Sequence, residues 1–229
     1  LFPYTTLFRS SGSMGIIILR NNISDMKHKL YCFDFDGTLT TKDSMIELIR
    51  YAHGTKGLIL GLLANIWFLV MMKLHLYPNW RSKERILTHF FGGMSAEAFD
   101  VLCNNFAALH HTDIRPQAIA EINDIIAQGG KVIVVSASAE NWVAPMLAKA
   151  FNSMPTLSGT HLEVKDGKIT GIIEGRNCYG EEKVKRIKEY MQANDMERAE
   201  YYIYAYGDSQ GDKQMMEYAD ESFYKPFRQ

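Results

Sequence analysis

One stretch, Lys29–Thr40 (KLYCFDFDGTLT), constrains the fold of the whole chain. Leu30 to Phe33 read as a buried strand that runs directly into two carboxylates, a glycine and hydroxyl residues. Residues two apart on a strand share a face, so Asp34 and Asp36 should leave the sheet edge in the same direction, with Phe33 and Phe35 turned to the other side. Gly37 permits a turn that a residue with a Cβ would resist. Two anions this close repel unless a cation joins them or one takes a proton, and both solutions suit phosphoryl transfer. The plainer reading, a strand end with a solvated acidic turn, gives way only if matching partners appear downstream.

Later segments repeat the pattern of strand, reactive loop and helix. Lys131 to Val135 form a continuous apolar strand ending in Ser136-Ala137-Ser138, with a helix from about Glu140; Arg115-Pro116 open the helix before it, which Gly129-Gly130 end. Thr160 to Glu174 read as a hairpin turning at Lys165-Asp166-Gly167-Lys168, and Gly180 to Gln192 as a basic helix carrying Lys183. Glu200 to Tyr206 form the next strand, followed by the loop Gly207-Asp208-Ser209-Gln210-Gly211-Asp212, and Glu221 to Tyr224 a short last strand. This alternation predicts a doubly wound, mostly parallel α/β sheet, a Rossmann-like core, with its site at the carboxyl ends of the strands.

Between the first strand and the second, residues 44–112 read as helices only, with Asp43 or Ser44 as the first cap. The expected organisation is an α/β core of residues 26–43 and 113–229 with an inserted all-helical cap at 44–112. Within that cap, Gly57 to Met72 (GLILGLLANIWFLVMM) carry no charge, and apolar residues cover every face of the implied helix. These 16 residues fall short of the roughly 20 that cross a bilayer. A buried helix of the lobe is the first reading; the second is peripheral contact with a membrane, favoured by Lys56 before the segment and Lys73, Arg81, Lys83 and Arg85 after it; true spanning is the third. His110-His111 face different ways on a helix and read as a helix end, not a metal pair.

Length and composition set outer bounds. The 229 residues suffice for a large core, and 47% hydrophobic with 22% charged residues indicates a globular chain. A net charge of −1 gives no electrostatic case for nucleic acid. Cys32, Cys103 and Cys178 form no metal pattern and leave an odd thiol, which favours a reducing, cytoplasmic setting, with membrane association left open. Leu1–Ser10 (LFPYTTLFRS) resemble the translation of a sequencing-library adapter, so residues 1–13 are set apart from the fold, with Met26 or Met14 as the expected start. Asn22-Ile23-Ser24 matches a glycosylation pattern and is read as chance, and Ile16–Leu19 are too short for a signal core.

The set Asp34-x-Asp36, Ser136, Lys183, Asp208 and Asp212 occurs in an order that resembles the haloacid dehalogenase superfamily of phosphatases, in the helical-cap branch that includes phosphoserine phosphatase. The resemblance rests on DFDGTLT, VVSAS, NCYGEEKV and YGDSQGD, and extends from Lys29 to about Arg228. It implies that Asp34 is the nucleophile that becomes an aspartyl-phosphate and Asp36 the acid, then base. It implies that Ser136, Ala137 and Lys183 hold the phosphate. Asp34, the backbone carbonyl of Asp36 and Asp208 would then bind Mg²⁺, with Asp212 in support. The chemistry needs such groups, because phosphomonoester hydrolysis demands on the order of 20 kcal/mol of barrier lowering.

The resemblance also frames the substrate. Phosphoserine phosphatases carry a glutamate shortly after the nucleophile loop, where this chain has Asp43, and Arg85 aligns with the cap arginine that takes the carboxylate. A small soluble phosphomonoester is therefore the leading expectation. Lipid phosphatases of the phosphatidylglycerophosphate type are the alternative, suggested by the apolar cap segment. A receiver-like domain that accepts phosphate and keeps it is the non-enzyme alternative; it needs neither a cap nor Asp36.

Overall fold

The computed structural model describes residues 27–228; the adapter-like residues, the short apolar run, the two candidate starts and the Asn22 pattern lie outside them. A six-stranded sheet runs through the molecule in the order β4-β3-β2-β1-β5-β6, formed by β1 (His28–Phe33), β2 (Lys131–Ala139), β3 (Thr156–Lys165), β4 (Lys168–Glu174), β5 (Tyr201–Gly207) and β6 (Glu221–Tyr224). All neighbours are parallel except β3 and β4, whose hairpin turns at Asp166 and Gly167 with φ of 51° and 72°. β1 lies at the centre with β2 and β5 on either side, so its carboxyl end is the topological switch point of the sheet.

Strand periodicity divides the core into two layers. Leu30, Cys32, Ile133, Val135, Ile203 and Ala205 face Ile187 and Met191 of helix α7 (Glu181–Ala193) and Met215 of α8 (Lys213–Tyr218). Phe33, Val132, Val134 and Tyr206 face the other way. There they join one apolar cluster with α1 (Ser44–Ala64), α3 (Asn79–Phe91), α4 (Ala96–His110), α5 (Pro116–Ala127) and α6 (Glu140–Ala150). Paired rings reinforce the centre of the sheet: Tyr31 stacks on Tyr204 at 4.7 Å, and Phe33 on Tyr206 at 4.2 Å.

Residues 44–110 are helical as expected, but the uncharged segment is not one straight buried helix. α1 is interrupted at Gly54 (φ 69°), and it bends by 66° at Asn65 into α2 (Ile66–Lys73). The Asn65 side chain donates to the Gly61 carbonyl at 2.9 Å, giving the broken ladder a local partner. Gly61 allows α1 to lie against Phe90, whose ring a Cβ there would meet at 2.1 Å. Leu58 and Gly61 are buried, whereas Leu60 and Trp67 are each 67% exposed. Composition alone did not indicate this, because an all-round apolar helix reads the same whether or not the fold covers it.

His110 and His111 end α4 as expected: His110 pairs with Asp113 at 2.9 Å and His111 with the Ala107 carbonyl at 3.0 Å. All three cysteines are buried and free.

Candidate active site

Three sheet-edge loops and the start of α7 converge on the carboxyl end of β1. The β1 backbone continues its ladder one residue past the strand, with Asp34 N–H donating to the Tyr206 carbonyl at 2.9 Å, and then coils into a tight turn over Phe35–Leu39. Asp34 is 6% exposed, and Lys183, 1% exposed, donates to it at 2.5 Å and to Asp212 at 2.7 Å. Thr38 donates to the other Asp34 oxygen at 3.1 Å. Lys183, carried on a basic helix, is therefore the buried centre of an ionic triad.

Burial pushes Asp34 up to about 7 against the pull of Lys183, with Asp212 and Asp36 adding to the rise. Burial also works against the charge on Lys183, but the two carboxylates outweigh it and hold its pKa above the ordinary lysine value. Asp212 goes the other way: burial opposes its charge, yet Lys183 and hydrogen bonds from Ser209 keep it below the usual carboxylate range. Its Oδ2 accepts from Asp208 N–H at 3.1 Å, from Ser209 N–H at 3.0 Å and from Ser209 Oγ at 2.8 Å, which folds the loop after β5 around it.

Carboxylate oxygens of Asp34, Asp208 and Asp212 lie within 4.8 Å of one another. An all-oxygen, anionic donor set of this kind fits a hard divalent cation such as Mg²⁺. Gly37 makes room for it, since with φ 78° a Cβ there would come within 2.5 Å of Asp208 Oδ2. Arg228 also pairs with Asp208 and donates to the Gly37 carbonyl at 3.0 Å.

Asp36 and Asp34 open on the same cleft, but Asp36 has a different set of partners. The expectation of one shared direction carried strand geometry past the end of the strand. Asp36 lies inside the turn, and its side chain faces the start of α1. Oδ1 accepts from Ser44 N–H at 2.7 Å and Oδ2 from Ser138 Oγ at 2.6 Å. Ser44 Oγ in turn accepts from the indole N–H of buried Trp142 at 2.9 Å. Burial raises the Asp36 pKa and the nearby charge of Asp43 adds to it, while Ser138 and Ser44 pull it back.

The other expected residues are placed as follows. Ser136 is fully buried at the end of β2, its hydroxyl accepting from Ser138 N–H at 3.0 Å, while Ala137 lines the cleft. Asp43 caps α1, accepting from Ile46 N–H at 3.0 Å, and also lines the cleft. Arg85 does not join the site; its guanidinium lies 3.6 Å over the ring of Phe68. The cation on that wall is Lys83, which donates to the Ala137 carbonyl at 2.8 Å and to Asn177 at 3.1 Å. Burial lowers the Lys83 pKa against the pull of Asp36 and Asp43.

Ser44, Lys83, Ser138, Trp142 and Asn177 went unassigned in the sequence. A signal existed for Ser138, which shares a strand face with Ser136, and for Asn177, which opens NCYGEEKV.

The family model of haloacid dehalogenase-like hydrolases matches residues 32–217, a span that starts beside Asp34 and includes Ser136, Lys183, Asp208 and Asp212. The chain belongs to this family. It is 33% identical to protein CicA of Caulobacter vibrioides, over 96% of this chain and 97% of that one. A Bordetella pertussis protein of unknown function matches its fold with a TM-score of 0.74 at 21% identity, covering 86% of this chain and 89% of that one. A substrate-bound phosphoserine phosphatase matches with a TM-score of 0.62 at 20% identity, covering 86% of each chain. These two likenesses establish a shared fold.

Proposed function

We propose that this hydrolase is a Mg²⁺-dependent phosphatase that cleaves phosphomonoesters through an aspartyl-phosphate on Asp34. The observation that carries the reading is the separation of the two aspartates of DFDGTLT: Asp34 sits with Lys183, Asp208 and Asp212, while Asp36 is held by Ser44 and Ser138.

In this reading an Asp34 oxygen attacks phosphorus and the bond to the leaving oxygen breaks. Asp36 gives that oxygen its proton. Asp36, now ionised, then takes a proton from the water that attacks the phosphorus of the aspartyl-phosphate, which releases inorganic phosphate and restores Asp34. Lys183 offsets charge on the transferring group, and the backbone around Ser136 and Ala137 fixes its oxygens in line. Mg²⁺, held by Asp34, Asp208 and the backbone carbonyl of Asp36 with Asp212 in support, would neutralise further negative charge on that group.

The raised pKa of Asp36 is what a proton donor needs, and its hydrogen bonds keep its carboxyl aimed away from the acidic cluster. The division of labour between neighbouring acids gives a receiver-like domain no use for Asp36. Residues 44–112 act as a cap, with the core of 26–43 and 113–229 as the catalytic part. Three buried free thiols accord with a cytoplasmic setting. The cleft of about 650 Å³ suits a small phosphorylated compound. With Arg85 on Phe68, phosphoserine loses the cation expected for its carboxylate.

Release of inorganic phosphate from p-nitrophenyl phosphate, with Mg²⁺ and with EDTA, tests the reading. Many turnovers per chain that stop with EDTA are expected; stoichiometric labelling without turnover would contradict it.

A further inference from the structure

The bent pair α1–α2 is apolar on both sides, and the two sides do different things. Its inner side chains Leu62, Leu69 and Met72 line the cleft that also holds Asp34 and Lys183. On its outer side Ile59, Leu60, Leu63, Ile66, Trp67 and Val70 are 44–67% exposed, a cluster that a chain in water would bury if nothing else covered it. From Leu48 to Lys83 there is no acidic residue, while Arg50, Lys56, Lys73, Arg81 and Lys83 are basic, in a chain whose net charge is −1. Trp67 and Trp80 are both exposed, the residue type that sits at headgroup depth.

We propose that this outer face docks on an anionic lipid surface, and that the inner face guides a phosphomonoester bearing an acyl or alkyl tail from that surface to Asp34. The inference rests on the phosphatase reading of the cleft and names its substrate class. The shape suits lying on a bilayer, not crossing it. No single described helix is long and apolar enough to cross a bilayer, and the 66° bend at Asn65 turns α2 out of line with the 21 residues of α1. Charge selects the occupant. A second copy of this chain would set Lys56, Lys73 and Arg81 against a like row, whereas anionic headgroups complement them. The tail would lie along Met45, Ile46, Leu62, Leu69, Met72 and Ile86, which line the same cleft as the acidic cluster and Lys183.

The test combines sedimentation with vesicles and kinetics. Purified chain is mixed with vesicles of phosphatidylcholine alone or with added phosphatidylglycerol. Turnover is measured on p-nitrophenyl phosphate, glycerol 3-phosphate and lysophosphatidic acid, the last two sharing a head and differing in the tail. Binding is expected to vesicles containing phosphatidylglycerol and to weaken with salt. Lysophosphatidic acid should exceed glycerol 3-phosphate in kcat/KM by on the order of 100-fold.

The double substitution Leu60→Glu with Trp67→Glu should weaken vesicle binding by at least ~10-fold and leave p-nitrophenyl phosphate turnover unchanged. Full turnover of p-nitrophenyl phosphate with no vesicle binding and equal use of the two glycerol esters would overturn the inference and leave the phosphatase reading standing. So would a dimer in sedimentation velocity that the double substitution dissolves, since a second copy would then cover the face. Vesicle binding with no turnover of any ester would refute the phosphatase reading and the tail-bearing substrate with it, while upholding the docking face.

Discussion

Asp34 should make the metal-free protein less stable as pH rises, and Asp34→Asn should remove that dependence. Burial lifts this carboxyl from 3.8 to about 7 in the fold. At about 1.4 kcal/mol for each tenfold change in proton affinity, holding the ionised carboxylate costs the fold on the order of 4 kcal/mol. Because the folded value lies above the unfolded one, the folded chain keeps the proton longer; its stability is full below about pH 4 and is lost progressively as pH rises through about 7. Urea unfolding in EDTA, at steps from about pH 4.5 to 8, measures this for wild type and Asp34→Asn. Other titrating groups are shared by both chains, so the stability of Asp34→Asn relative to wild type should grow by ~3–4 kcal/mol across the range. Adding Mg²⁺ should shrink that gap, because a cation favours the ionised carboxylate. Parallel curves for the two proteins in EDTA would refute the placement of Asp34 as a buried, charge-costly group.

Other perturbations separate the remaining roles. Asp43→Asn keeps a capping residue but removes a charge that raises the Asp36 pKa, so the alkaline limb of kcat/KM against pH should move to lower pH; Ser138→Ala removes a bond that favours ionised Asp36 and should move the limb the opposite way. Lys183→Met leaves Asp34 and Asp212 buried without their cation, and chemical denaturation at neutral pH in EDTA should show a loss of about 3–5 kcal/mol, with turnover abolished. Gly37→Ala adds strain of about 1 kcal/mol at φ 78° and drives Asp208 from the cluster, so the Mg²⁺ concentration for half-maximal rate should rise at least ~10-fold.

The turn after β1, the β3–β4 hairpin and the start of α5 were legible in the sequence because their signals are local. DFDGTLT ends a strand and needs a glycine with positive φ, and Asp166-Gly167 fit the one tight hairpin turn between β3 and β4. Arg115-Pro116 open α5 just where a fixed φ suits a first turn. What the sequence could not supply was the environment of particular side chains. Lys183 sits among charged neighbours on an amphipathic helix, and only the packing of α7 against the sheet makes it the buried partner of two aspartates. Arg85 and Lys83 are two residues apart on one helix, and the rotation of α3 decides that Lys83 meets Ala137 while Arg85 meets Phe68. The close approach of Gly61 to Phe90 beside the bend at Asn65 is likewise a contact between distant positions that leaves no periodic mark.

The central claim is that phosphate passes through Asp34 and that Asp36 releases it. Acid-quenched protein, digested after brief exposure to a phosphomonoester and Mg²⁺, can be searched by mass spectrometry for a phosphorylated peptide containing Asp34. Such a peptide is expected in wild type, with its accumulation in Asp36→Asn when the ester is p-nitrophenyl phosphate, whose leaving oxygen needs no proton so that only the second step loses its base, and with its absence in an inactive Asp34→Asn. Wild-type turnover by freshly purified Asp34→Asn, or turnover with phosphate on no residue at any time, would contradict it.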